Sequence, residues 1–414
     1  MKRKWIVRIL AILLVIAMVV GSAWYLIEII APAKVNVYAM SADDREKLDN
    51  LEDLFKLVKE NYRDQVDDRM LIEGAYAGVL ASLDPWSVYY SSTEEMEEFT
   101  SSLESEQYGG IGCTIVAKDG KIYVSDLNRV GPAYRYGLKI GDNIVAVDGV
   151  KFAGDDIDAA AKKMRGEAGT KVKITVIRQG KTLDFTFVRK VLNKSSVTTT
   201  LYELSSGKAL TSVAQIDEKK GNLAGVIHIS QFDEGCAKEF EKQLILLEGI
   251  GVKKIVIDLR DNPGGYMDEA LDCACCFLKQ GDKLISYIHQ GETIGSNFVQ
   301  VGDEKKFDVV ILVNQESASA SEAFTLIMKD YNLAKVVGVT TFGKGVAQEI
   351  FPLGDGSYIK LTTCYYAGPK NNTLIEGKGI SPDVYATCDG KSLTEIKILG
   401  LADTQLKKAI ELLK

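Results

Sequence analysis

Histidine is nearly absent from this chain, with only His228 and His289 among 414 residues. A His-rich metal site is thereby excluded, and any Ser-His-Asp machinery would have to use one of those two. An excess of basic charge is missing as well: 50 Lys and Arg stand against 57 Asp and Glu, a net charge of −7. A nucleic-acid protein would show a basic patch or stripe, so no nucleic-acid partner is expected. Nor is there a second Cys-x-x-Cys or a His pair to complete a zinc set, and no metal is expected. The odd count of cysteines (113, 236, 273, 275, 276, 364 and 388) leaves at least one thiol unpaired. Cys273, Cys275 and Cys276 lie in an apolar, helix-like stretch where cysteine behaves as a small hydrophobe. What the chain does have, 46% hydrophobic and 26% charged residues, suits a globular protein, and its length suggests two or three domains.

The N-terminus carries Lys2, Arg3, Lys4 and Arg8 ahead of an almost unbroken apolar run from Ile9 to Ile27. Such a run as a helix spans about 28 Å, enough for a bilayer core. The basic flank would keep the N-terminus cytoplasmic and send the remainder outside. A cleaved signal peptide is the alternative, with Gly21-Ser22-Ala23 as its processing site. Because the apolar run continues to Ile30, an uncleaved single-pass anchor over 1–31 is the favoured reading. Both readings put the bulk of the chain outside the cytoplasm.

From Asp43 to about Leu103 the apolar spacing is helical, with Leu48, Leu51, Leu54, Phe55 and Val58 recurring at threes and fours, and a turn at Asp84-Pro85 interrupts it. The texture changes at Tyr108. Gly109-Gly110-Ile111-Gly112 leads into an alternating strand, Cys113–Ala117, and further short strands follow over 122–124, 143–147, 171–178 and 182–188, with a helix over 156–163. A glycine-rich loop before a strand exposes several backbone N–H groups in one concavity, which suits a terminal carboxylate. A free sheet edge beside it can accept an extended peptide. Tyr108–Gly112, Gly131-Pro132-Ala133, Gly137-Leu138, Gly141-Asp142 and Val147-Asp148-Gly149 together resemble a PDZ domain of the bacterial protease type. The resemblance implies that Tyr108, Gly110, Ile111 and Gly112 grip a substrate C-terminus.

After a Ser/Thr-rich hinge over 194–200, strands (225–229, 254–259, 309–314, 335–338) alternate with helices (235–247, 266–278, 317–330) in an α/β core. His228 falls in the first of these strands, and His289 in a strand-like stretch with no acidic partner nearby in sequence. Two segments could carry chemistry. Ser317-Ala318-Ser319-Ala320-Ser321-Glu322 follows an apolar strand into a helix N-terminus, where unpaired N–H groups favour developing negative charge. The plainer reading is a capping box closed by Glu322. Phe342-Gly343-Lys344-Gly345 sets a lysine between two glycines, poised to enter a cleft. Together they allow serine hydrolysis without histidine through a Ser-Lys dyad, provided the lysine is neutral. Burial lowers a lysine pKa by several units from roughly 10.4.

At this point residues 60–385 are similar to the carboxyl-terminal processing, or tail-specific, proteases. The two segments match that family's nucleophile and base motifs, and Asp258-Leu259-Arg260-Asp261-Asn262-Pro263-Gly264-Gly265, Leu83–Tyr89 and Gly377–Val384 match further landmarks. Trp86 and Glu316 depart from the usual histidine and glycine. The resemblance implies a crotonase/ClpP-like protease core with an inserted PDZ domain. It also implies Ser319 as nucleophile, Lys344 as base and Gln348 holding the base, with an oxyanion hole formed by Ala320 and by Gly264 or Gly265. The expected organisation is an anchor over 1–31, a helical region over 41–104, the PDZ domain over 105–190, a peptidase core over 191–390 and a C-terminal helix over 391–414. No cofactor is expected. The expected partners are polypeptides with free C-termini, the membrane, and a second copy in a homodimer. A silent PDZ scaffold that binds tails without cutting is the alternative, and an acyl-CoA enzyme on the same core ranks last.

Overall fold

A strand in which every second residue is apolar buries one face, whereas one apolar throughout must be covered on both. Both kinds occur here and separate the two sheets that matter. The structure, a computed structural model, describes residues 41–101, 107–128, 131–193, 196–210, 221–391, 393–399 and 402–414. The expected anchor over 1–31 lies outside them, and no helix of the described residues is long and apolar enough to cross a membrane.

Two compact units divide the chain, one ending at Ala75 and the other running from Tyr76 to Lys414. The first holds helix Ala42–Asn61, whose N-cap Ser41 accepts from the Asp44 N–H at 3.1 Å, and the opening turns of helix Asp68–Ala81. The expected turn at Asp84-Pro85 interrupts the helical region, and a strand that the sequence did not announce, Val88–Tyr90, follows it before helix Thr93–Ser101.

In the second unit, the inserted domain is a sheet in the order 113–118, 121–127, 143–147, 171–178, 181–188. Alternation along Lys171–Arg178 turns Val172, Ile174 and Val176 inward, where they meet Ile122, Ile144, Phe187 and, from helix Ile157–Met164, Ala160 and Met164. Fully burying each large side chain contributes roughly 1.5–3 kcal/mol. The guanidinium of Arg189 is buried and donates to the carbonyls of Lys163 and Met164, closing that helix's C-terminus. Strand Gln107–Gly110 does not join the sheet. It pairs antiparallel with Lys190–Asn193, so the segments entering and leaving the domain form one ribbon. A Cβ at Gly109 would sit 1.9 Å from the Gly166 carbonyl oxygen, so only glycine allows that ribbon to lie there.

The core is built on a seven-stranded sheet, in the order 208–209, 197–203, 223–229, 254–258, 308–313, 334–338, 384–385. Its last five strands are parallel. Ile255, Ile257, Val309 and Ile311 face helices Cys236–Gly249, Met267–Cys275 and Ala320–Asp330. Val256, Val310 and Leu312 face helix Thr404–Leu412 through Ala409 and Ile410. The expected hinge is in part a strand of this sheet: Val197–Glu203 pairs with Leu223–Ile229, because Val and Thr are β-branched and fit a pleated surface despite their polarity. The expected single C-terminal helix is two, Leu393–Leu399 and Thr404–Leu412, the second restarted by Asp403 accepting from the Leu406 N–H. A second, antiparallel sheet of strands 88–90, 358–367, 283–289 and 292–298, with 346–352 paired to 358–367, completes the unit.

Candidate active site

The nucleophile segment leaves strand Asp308–Val313 and enters helix Ala320–Asp330 through a tight turn. Of its three serines, Ser317 and Ser321 are fully buried, and their hydroxyls donate to the carbonyls of Leu259 (2.7 Å) and Asn262 (3.0 Å). They tie the turn to the loop after strand Lys254–Asp258. Ser319 differs: it is half-buried, its side chain makes no capping hydrogen bond, and its backbone sits at φ 57°, ψ −117°. A non-glycine residue held there costs on the order of 1–3 kcal/mol, a strain found at functional turns. Only half of the capping box forms, the Glu322 carboxylate accepting from the Ser319 N–H at 2.9 Å.

Glu322 does more than cap. Oε1 also accepts from the Thr341 hydroxyl at 2.6 Å and the Gly343 N–H at 2.7 Å, and Oε2 from the Lys344 N–H at 2.8 Å. One buried carboxylate thus fixes the backbone of both the serine and the lysine segments. Burial pushes its pKa up, against the pull of those hydrogen bonds. Tyr366, wholly buried, places its hydroxyl 2.9 Å from the Ser319 carbonyl oxygen and 2.8 Å from that of Lys344, a second clasp between the segments.

The Lys344 ammonium is half-buried and its pKa is lowered, first by burial and then by the positive charge of Lys360, with Glu376 and Asp84 opposing. Its Nζ donates to Gln348 Oε1 at 3.0 Å and lies 4.7 Å from the centre of the Trp86 ring. Gln348 Nε2 in turn donates to the Trp86 carbonyl. Trp86 is set by Asp84, whose carboxylate accepts from the N–H groups of Trp86 (2.7 Å) and Ser87 (2.8 Å).

The loop 262–265 lies against the serine. A Cβ on Gly264, where φ is +104°, would come within 2.9 Å of Ser319 Cβ and 3.0 Å of the Ala320 nitrogen. The Gly264 N–H is engaged by Asn262 Oδ1 at 2.9 Å. Those of Gly265 and Ala320 meet no acceptor among the described residues. The structure therefore gathers Ser319, Ala320, Gly264, Gly265, Lys344 and Gln348 around one turn.

The PDZ-type loop lies in the inserted domain, not at that turn. Tyr108 and Gly110 are in the ribbon opposite Leu192 and Lys190. The Ile111 side chain is buried in the domain core, so it can offer a ligand only its backbone. The N–H groups of Ile111 and Gly112 meet no acceptor among the described residues. His228 Nδ1 is 3.2 Å from the Asp258 carbonyl oxygen, and His289 Nδ1 is 2.7 Å from that of Thr363. Among the described residues no group of three or more His, Cys, Asp or Glu could hold a metal ion, and all seven cysteines are free thiols.

Sequence reasoning missed Glu322 as a hub and Tyr366 altogether. The Ser-x-x-Glu spacing was the available signal for the first, and nothing local marks the second.

Comparison with known proteins places these segments in known families. Residues 224–386 match the profile of peptidase family S41, residues 109–187 that of the PDZ domain and residues 21–94 that of the N-terminal domain of the activating protease CtpB. The carboxy-terminal processing protease CtpB of Bacillus subtilis is 33% identical over 356 residues, 85% of this chain and 70% of that one. A CtpA-like serine protease of Staphylococcus saprophyticus is 32% identical over 347 residues, 83% of this chain; the match spans 66% of the relative's length. A solved S41 structure from Bacteroides fragilis shares the fold, with a TM-score of 0.50 at 16% identity, covering 80% of this chain and 87% of that one. The chain belongs to peptidase family S41, among the carboxy-terminal processing proteases that carry a PDZ domain.

Proposed function

We propose that this chain is a serine endopeptidase that cuts polypeptides presented by their free C-termini. The observation that carries the reading is the half-buried Lys344 amine, with its lowered pKa, held by Gln348 and bound through Glu322 to the strained turn bearing Ser319. The Ser319 hydroxyl attacks the scissile carbonyl as its proton passes to neutral Lys344. The N–H groups of Ala320 and Gly265 stabilise the oxyanion. The Lys344 ammonium then returns the proton to the departing amine. Water, deprotonated by the same lysine, releases the acyl group from Ser319.

The PDZ domain reads the tail, its carboxylate meeting the N–H groups of Ile111 and Gly112. Lys2, Arg3, Lys4 and Arg8 before the apolar run support a single-pass anchor with the catalytic part outside the cytoplasm. A homodimer through the helical arm is supported by its exposed Leu48, Leu51 and Leu54. No cofactor enters this scheme.

Full-length protein in detergent, given peptides with free and amidated C-termini, tests the reading. Ser319→Ala is expected to abolish hydrolysis, by 10⁴-fold or more, while tail binding persists. Binding without turnover by the unaltered protein would instead establish a scaffold.

A further inference from the structure

The inserted domain's strand Cys113–Lys118 is the edge of its sheet, paired on one side only, with Lys121–Leu127. The carboxylate loop lies at its beginning, so a tail gripped there and added to this edge must run antiparallel to it. The tail's earlier residues then leave at Lys118. Strand Cys113–Lys118 is six residues long, about 20 Å of extended chain.

At that exit is a cavity of about 610 Å³, with Val116, Ala117 and Lys118 on one side and Asp261, Pro263 and Glu316 on the other. Pro263 adjoins Gly264, which touches Ser319, and Glu316 precedes the serine by three residues. The cavity therefore lies between the tail-reading edge and the two loops, 261–263 and 315–316, that lead to the catalytic turn. Its charges are unequal. Lys118, the one cation among the described residues that line it, is neutralised by Glu395 at 2.5 Å. The Asp261 carboxylate accepts from Asn314 Nδ2 and from the N–H groups of Leu393 and Thr394. The exposed Glu316 carboxylate has no hydrogen-bond or ion-pair partner among the described residues.

We propose that this cavity is the subsite for the stretch of substrate between its bound tail and its scissile bond, and that Glu316 selects a lysine or arginine there. The inference rests on the peptidase reading and adds to it a substrate class: polypeptides with a basic residue upstream of an apolar, free C-terminus. Counting along the strand puts that residue about seven to ten positions before the end.

The test uses the full-length protein and peptides identical except for Lys, Gln or Glu at each of those positions. At one of them kcat/KM is expected to be about threefold higher for Lys than for Gln, and lower by a similar factor for Glu, as suits an exposed ion pair. The preference should shrink in high salt. Glu316→Gln should bring the ratio towards one, and Glu316→Lys should invert it. Equal cleavage of the three peptides, or a ratio indifferent to Glu316→Lys, overturns the inference and leaves the peptidase reading intact. If no peptide is cut, the peptidase reading fails. The charge preference is still read as the ratio of Kd values of the same peptides for Ser319→Ala, where equal affinities refute it.

Discussion

Two glycine-rich loops, 262–265 beside Ser319 and 110–112 in the PDZ domain, are held in different ways. The loop 262–265 is locked by side chains: Asn262 Nδ2 donates to the Ile229 carbonyl, its Oδ1 accepts from Gly264, and its own carbonyl accepts from Ser321. At the loop 110–112, Gly110 is tied into the ribbon with Lys190, and beyond it the carbonyls of Ile111 and Gly112 accept from the backbone N–H groups of Ala133 and Asn128. Chemistry needs groups fixed before the substrate arrives, since an ångström of misplacement can cost about a hundredfold. Recognition of an added strand needs unspent N–H groups and an open edge. In the proposed reading, similar composition serves a rigid purpose in one place and a receptive one in the other.

The comparison breaks first, if it breaks, at Glu322. Glu322→Gln leaves one acceptor oxygen for four donors, so kcat is expected to fall about a hundredfold with KM little changed. Unfolding should report a loss of about 1–3 kcal/mol from the stranded N–H groups. A variant with unaltered kcat would mean that the turn is held by Tyr366 alone.

Lys360→Met sharpens the electrostatic half of the contrast. Lys360 holds the Lys344 pKa down by like charge, so its removal should raise that pKa. In the proposed mechanism the neutral amine is the base, so the rate rises as pH passes upward through the Lys344 pKa, and in this variant the rise should move to higher pH. A kcat/KM profile from neutral to alkaline pH measures it, and an unshifted or downward-shifted limb contradicts the assignment. The smallest effect belongs to the receptive loop. Gly112 has φ +76°, so Gly112→Ala strains it. KM for tailed peptides should rise several-fold, while turnover of short amidated peptides stays as it was.

The sequence made the chemistry more legible than the architecture around it. Apolar strands such as Lys254–Asp258 and the alternation of Lys171–Arg178 announce themselves by period. Ser319 and Lys344 lie in segments that leave core strands Asp308–Val313 and Ala334–Gly338, and Gln348 follows in strand Val346–Pro352 of the second sheet. The second sheet was hidden: strands Glu292–Phe298 and Tyr358–Ala367 are largely exposed or half-buried and carry no clean period. The Thr-rich strand Val197–Glu203 read as a hinge for the same reason. Glu322 looked like a cap because its other donors, Thr341, Gly343 and Lys344, lie about twenty residues away. Tyr366 acts through contacts that only the folded chain creates.

The ribbon of Gln107–Gly110 with Lys190–Asn193 carries a further consequence. Gly110 faces Lys190 across one ladder rung, some 5 Å apart, so nearly eighty residues of PDZ domain begin and end at a single spot. To the peptidase core the PDZ domain is a cassette on one short stem, which also touches the core where Lys118 pairs with Glu395. Its removal would leave a gap that a tight turn can close, without disturbing a strand of the catalytic sheet. Such an attachment lets the two halves change independently: the cutter can keep its chemistry while the cassette alters which tails reach it.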